Sequence, residues 1–135
     1  MECDHIGYVT NDIDKFEKFW VEILGFKMIF QSRIPAEMNK ALFDFNCSAF
    51  VARYKKGKVT IEVHVYDKKV LKEPMPFNKF GLNHIGIKVE DRKKFLEKYK
   101  VETKIYQNPK GWKNIFIKDL EGNWIELRSD NYLKE

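Results

Sequence analysis

The chain has 135 residues, 44% hydrophobic and 15% aromatic, which is enough to bury one core and too short for two ordinary domains. Eleven Phe, six Tyr and three Trp beside 33% charged residues exclude a disordered chain, and no apolar run reaches the length of a transmembrane helix. The net charge of +5 and pI near 9.1 come from lysines dispersed along the chain, which reads as a solvated surface, not a nucleic-acid stripe, and leaves a bias toward anionic small molecules.

The opening Met-Glu-Cys-Asp-His has neither a basic start nor an apolar stretch, so no secretion signal is read there and a cytoplasmic location is expected. Cys3 and Cys47 make no CxxC pair, lie in apolar stretches, and are expected to be buried free thiols. The first strand is Asp4-His5-Ile6-Gly7-Tyr8-Val9. Asn11 or Asp12 then caps a helix whose Phe16, Phe19, Trp20, Ile23 and Leu24 form one apolar stripe, ended by Gly25. Strands are expected over 27–33, 43–54 and 58–66, the last two turned at Lys56-Gly57. A long loop near Gln31 to Asp44 bears Arg33, Asn39 and Lys40. Val70 to Phe80, with Pro74 and Pro76, reads as a linker. Asn83-His84-Ile85-Gly86-Ile87-Lys88-Val89 restates the first strand. Asp91 caps a helix with Phe95, Leu96 and Tyr99 on one stripe. Strands follow over 102–107, 113–118 and 123–128, the last two joined by Asp119-Leu120-Glu121-Gly122-Asn123. Trp112, after Gly111, is either a lid or a turn anchor, and the tail with Tyr132 and Leu133 is expected to fray.

The order βαβββ therefore occurs twice, and the repeat fixes the architecture. One α+β domain over 1–135 is expected: repeat one about 1–69, a linker about 70–80, repeat two about 81–130, forming a cupped mixed β-sheet with helices on its outer face. Strand alternation places Ile6 and Tyr8, Ile61 and Val63, and Ile125 and Leu127 toward the helices. His5, Glu62, His84 and Glu126 fall on the opposite face. A lone polar-face histidine is more often a hydrogen-bonded surface group than a ligand. Here, however, two imidazoles and two carboxylates stand at equivalent positions of a duplicated motif, and a dication would offset two carboxylates left without other partners. The expected cofactor is one divalent metal ion held by His5, Glu62, His84 and Glu126. His64, two residues beyond Glu62 on the same face, is the rival for the fourth position, or else a neighbour of the ligands or of the substrate.

His-Ile-Gly at the start of each half, the closing Phe116-Ile-Lys-Asp-Leu-Glu-Gly-Asn-Trp-Ile-Glu-Leu127 and the duplication resemble the vicinal oxygen chelate superfamily. That family includes glyoxalase I, methylmalonyl-CoA epimerase, extradiol dioxygenases, and fosfomycin and bleomycin resistance proteins. Leu120 stands where the family's closing motif usually has Pro, a departure that touches a turn and not the metal. The resemblance implies that His5, His84 and Glu126 fill the widely shared metal positions and that Glu62 is the glyoxalase-like choice for the fourth.

By the same resemblance the expected activity is glyoxalase-I-like lyase or isomerase chemistry. Ni, Zn, Co, Mn or Fe would act as a Lewis acid toward an α-oxygenated carbonyl or hemithioacetal, with Glu126 or Glu62 as the catalytic base. An epimerase acting on an acyl-CoA needs the same enolate stabilisation. An extradiol dioxygenase would use His5, His84 and Glu126 alone, and a drug-binding dimer would use the cup without metal. The expected substrate is a small anionic molecule such as a glutathione or CoA adduct, met by Arg33, Lys40 or Lys79. No nucleic acid or membrane partner is expected. Trp20 is expected in the core and Trp124 on the face of Glu126. Single-module relatives and exposed sheet edges together imply a homodimer.

Overall fold

Strand β1 (Ile6–Val9) pairs in parallel with β4 (Val59–Tyr66), which is antiparallel to β3 (Ala49–Lys56), itself antiparallel to β2 (Lys27–Ile34). The same arrangement recurs as β5 (Ile85–Lys88), β8 (Trp124–Arg128), β7 (Lys113–Lys118) and β6 (Thr103–Gln107), with β5 parallel to β8. These are two four-stranded mixed sheets, ordered β1-β4-β3-β2 and β5-β8-β7-β6, and neither is closed. The computed structural model describes residues 1–70 and 81–130; the expected linker beyond Val70, Lys79 and the tail with Tyr132 and Leu133 lie outside the described residues. The chain divides into two compact units, Met1–Lys72 and Glu73–Glu135.

In the first unit, helix α1 (Ile13–Glu17) continues as a π-helical turn, Lys18–Ile23. Asp12 caps it by accepting from the Lys15 N–H at 3.1 Å, and Gly25 at φ +75° ends it. Phe16, Phe19, Trp20 and Leu24 are buried by this helix. Their rings meet Tyr8 from β1, with Phe16 at 5.2 Å and Trp20 at 6.3 Å between centroids. Ile61 and Val63 on β4 are fully buried, as the alternation requires. Tyr54 lies in the same core with its hydroxyl donating to Glu17 at 2.6 Å; burial and that carboxylate raise its pKa well above the ordinary phenol value. In the second unit, Asp91 caps helix α3 (Arg92–Lys98) through the Lys94 N–H at 2.9 Å, and Ile115, Ile117, Ile125 and Leu127 form the buried face.

Two expectations are corrected. The segment expected as a long loop is the end of β2 followed by helix α2 (Ala36–Phe43), so β3 starts at Ala49 and not at Phe43. Pro35 opens α2 without a side-chain cap, and Asp44 closes it in the left-handed conformation at φ 54°. Asn39 ties α2 to the segment that leads into β3: it is fully buried and its Nδ2 donates to the Cys47 carbonyl at 2.6 Å. Cys47 is a buried free thiol, whereas Cys3 is exposed. Pairing of β1 with β4 begins at Ile6↔Ile61, so Cys3 precedes the register and the sheet does not cover it. Among the described residues no helix is long and apolar enough to cross a membrane.

Candidate metal centre

The parallel register sets Gly7 opposite Glu62 in repeat one and Gly86 opposite Glu126 in repeat two. In each repeat the histidine stands two residues before that glycine, just ahead of the strand. The two carboxylates lie on the face opposite the buried aliphatic residues, with side chains 17% and 21% exposed. Repeat one brings His5 Nε2 to 3.7 Å from Glu62 Oε1, and repeat two brings His84 Nε2 to 3.6 Å from Glu126 Oε2.

Each imidazole is oriented by the residue before it. His5 Nδ1 lies 2.7 Å from Asp4 Oδ2, and His84 Nδ1 lies 2.6 Å from Asn83 Oδ1. A carboxylate and an amide oxygen only accept, so Nδ1–H is the donor in both pairs, and in the neutral ring Nε2 is left with its lone pair. That lone pair faces a carboxylate oxygen at a distance too long for a hydrogen bond. Two atoms each about 2.1 Å from one cation lie about 3.0 Å apart at a right angle and about 3.4 Å apart at the tetrahedral angle, so both pairs have nearly the spacing of two ligands sharing a metal. An imidazole fixed through its other nitrogen by an oxygen acceptor is also the usual support of a metal-bound histidine. Within each repeat, the imidazole and the carboxylate are donors of the kinds a divalent cation takes. No group of three or more His, Cys, Asp or Glu side chains placed to hold a metal ion is found among the described residues; each repeat supplies a pair.

The carboxylates are not without other partners, which corrects the argument that a cation is needed to offset them. Glu62 Oε2 accepts from Arg53 Nε at 2.7 Å and Glu62 Oε1 from His64 Nε2 at 3.0 Å. Burial works to raise the Glu62 pKa, but these hydrogen bonds from Arg53 and His64 hold it below the usual carboxylate range. Glu126 Oε1 accepts from Arg128 Nη1 at 2.9 Å. The two repeats thus pair each glutamate with a guanidinium by different routes: Arg53 comes from across the ladder at Arg53↔Glu62, and Arg128 from two residues along the same strand. His64 hydrogen-bonds Glu62 and is buried, its side chain 8% exposed.

Asp4, Asn83 and Arg53 were not among the expected site residues. The repeat itself held the first signal, because each His is preceded by a residue with an acceptor oxygen. Counting back from the Gly57 turn through Lys56↔Val59 finds the second. Two of the cations expected to meet an anionic substrate are engaged elsewhere: Arg33 binds Asp67 at 2.5 Å, and Lys40 binds Asp44 within its own helix end. Trp20 is core. Trp124 shares the face of Glu126, with Lys104 and Lys118 ammonium groups 4.5 Å and 5.0 Å from its ring centroid. Trp112 closes the Asn108 turn through its backbone while its ring is exposed. Leu120 takes its place in a turn built on Asp119, whose Oδ1 accepts from the Glu121 and Asn123 N–H groups.

The fold matches solved structures over nearly its full length. A glyoxalase family protein from Bacillus cereus superposes with a TM-score of 0.76 at 16% identity, covering 96% of this chain and 93% of that one. The trypanothione-dependent glyoxalase I of Leishmania major gives 0.62 at 23% identity, covering 96% and 87%. A genomically encoded fosfomycin resistance protein from Listeria monocytogenes gives 0.62 at 14%, covering 97% and 94%. None of the curated proteins matches the sequence. A family model described as the glyoxalase/bleomycin resistance protein/dioxygenase superfamily matches residues 4–114, and with the duplicated fold in place the chain belongs to that superfamily.

Proposed function

We propose that this protein is a metal-dependent lyase or isomerase of the glyoxalase I type, with His5, Glu62, His84 and Glu126 as the ligands of one divalent cation. The observation that carries the reading is the paired geometry: in both repeats an imidazole pinned through Nδ1 turns its free Nε2 toward a carboxylate oxygen at 3.6–3.7 Å. When bound, the cation supplies Lewis acidity that polarises a substrate carbonyl. The chain's own residues do the rest. Asp4 and Asn83 hold the imidazoles in register, and Arg53 and Arg128 hydrogen-bond the two glutamates and keep them aimed. Glu126 or Glu62 takes the proton from the carbon beside the carbonyl and returns it to the neighbouring carbon, which isomerises an α-oxygenated carbonyl compound.

The substrate is inferred to be a small hemithioacetal or thioester. The engagement of Arg33 and Lys40 by Asp67 and Asp44 leaves the substrate's anionic groups to other cations. The protein is inferred to act as a homodimer, because strands β2 and β6 end the two sheets and carry exposed Met28, Ile29, Phe30, Ile105 and Tyr106. Light scattering that gives a monomer mass at micromolar concentration would exclude the dimer.

The test of the activity is direct. Protein purified without added metal and reloaded with Ni or Zn should isomerise the methylglyoxal–glutathione adduct. Glu126→Gln should lose at least about a hundredfold in kcat, within the usual range for removing a positioned acid–base group. Exchange of the α-proton of methylmalonyl-CoA with no turnover of the glutathione adduct would assign epimerase chemistry instead. Oxygen uptake with catechols would assign the dioxygenase reading.

A further inference from the structure

Repeat one carries a helix, α2, that has no counterpart among the described residues of repeat two, and its C-terminal end reaches the side chains that hold Glu62. His64 and Tyr66 lie on the β4 face that bears Glu62. The Phe43 ring meets His64 edge-on at 5.7 Å, and the Phe45 ring meets Tyr66 at 4.8 Å. The buried His64 Nδ1 has no hydrogen-bond partner among the described residues, so the ring is placed by packing on one side and by its single bond to Glu62 on the other. A donor with one bond does not orient itself. The apolar edge of Phe43 supplies the second constraint, and Asn39, buried and bonded to the Cys47 carbonyl, fixes the helix from which Phe43 projects. In repeat two the position of His64 is taken by Arg128, whose guanidinium reaches Glu126 directly.

We propose that α2 is a positioning device for Glu62: Phe43 seats His64, and His64 with Arg53 holds both carboxylate oxygens so that Glu62 meets the cation preoriented. The inference rests on the metal reading above and assigns α2 to ligand geometry. Glu62 keeps a lone pair on Oε1 for the cation while its two hydrogen bonds resist rotation, an arrangement of outer partners that typically governs metal affinity about 10- to 100-fold.

The experiment is titration of the metal-free full-length protein with Co(II), read by visible absorption and calorimetry. His64→Leu should weaken Co(II) binding about tenfold or more and shift the d–d bands, because the carboxylate is no longer fixed. His64→Gln, which keeps an N–H donor at the ε position, should restore most of the affinity and the spectrum. Phe43→Ala should weaken binding by a smaller factor, and its ring is half exposed, so the core is not put at risk. In the His64→Leu background the same Phe43 change should have no further effect, since coupled residues are non-additive. Wild-type binding at one Co(II) per chain that is unchanged in His64→Leu and Phe43→Ala overturns the proposal and leaves the metal reading standing. Equal effects of Phe43→Ala in both backgrounds remove α2 from it. If wild-type protein binds no Co(II), the metal reading fails and this inference with it.

Discussion

Arg33 shows how the partner of one side chain changes its expected role. In the sequence it is a cation near the site, available to a phosphate or carboxylate; in the fold it spans from β2 to Asp67 at 2.5 Å. That hydrogen bond holds the Asp67 carboxyl below its ordinary pKa. A carboxylate with a depressed folded-state pKa contributes stability above its unfolded pKa and loses it as pH falls through the folded value. Arg33→Gln should therefore move the Asp67 NMR titration midpoint upward toward the ordinary value and remove that acid-range dependence of stability, with KM unaffected. Both groups are exposed, so the loss of stability at neutral pH should be small. A large rise in KM with no movement of Asp67 would return Arg33 to the substrate. The residues legible in sequence at this scale were those whose positions the repeat duplicates. His5 with His84 and Glu62 with Glu126 were visible for that reason. Arg53 was not, because its partnership with Glu62 runs across a ladder and has no counterpart in repeat two, where Phe116 stands opposite Glu126.

At the scale of elements, α1 and α3 could be read because each begins with an aspartate that accepts a backbone N–H three residues on and carries an apolar stripe at helical spacing. Asp12→Ala and Asp91→Ala should each cost about 1 kcal/mol in denaturant unfolding, the usual value of such a cap. Losses near zero in both would mean that tertiary packing alone sets the helix starts. Helix α2 lacked these signals. Pro35 offers no side-chain acceptor, and the helix stops on Asp44 at φ 54° instead of on glycine. Its exposed Met38, Leu42 and Phe43 are apolar residues on the outside, so the hydrophobic pattern pointed to a strand near Phe43. The error in the element had a consequence for the site, since only as a helix does this segment bring Phe43 onto His64.

For the whole molecule, the duplication was legible because two strand motifs and two closing hairpins recur in order, and the sheet orders β1-β4-β3-β2 and β5-β8-β7-β6 repeat the same topology. What duplication alone does not supply is the stoichiometry of the metal, because the motif it repeats is one imidazole facing one carboxylate. Thermal unfolding separates the two cases. A ligand bound only by the native state stabilises it by about 2.7 kcal/mol at a hundred times its Kd, so Ni or Zn at that excess should raise the Tm by several degrees and a chelator should reverse the gain. If His5, Glu62, His84 and Glu126 form one donor set, Glu62→Gln and Glu126→Gln should each abolish most of the gain, because a single cation loses a ligand in either variant. If each repeat bound its own ion, the two variants would each remove about half and their effects would add. A full gain retained in both would show that neither carboxylate holds the metal and would reject the ligand set outright.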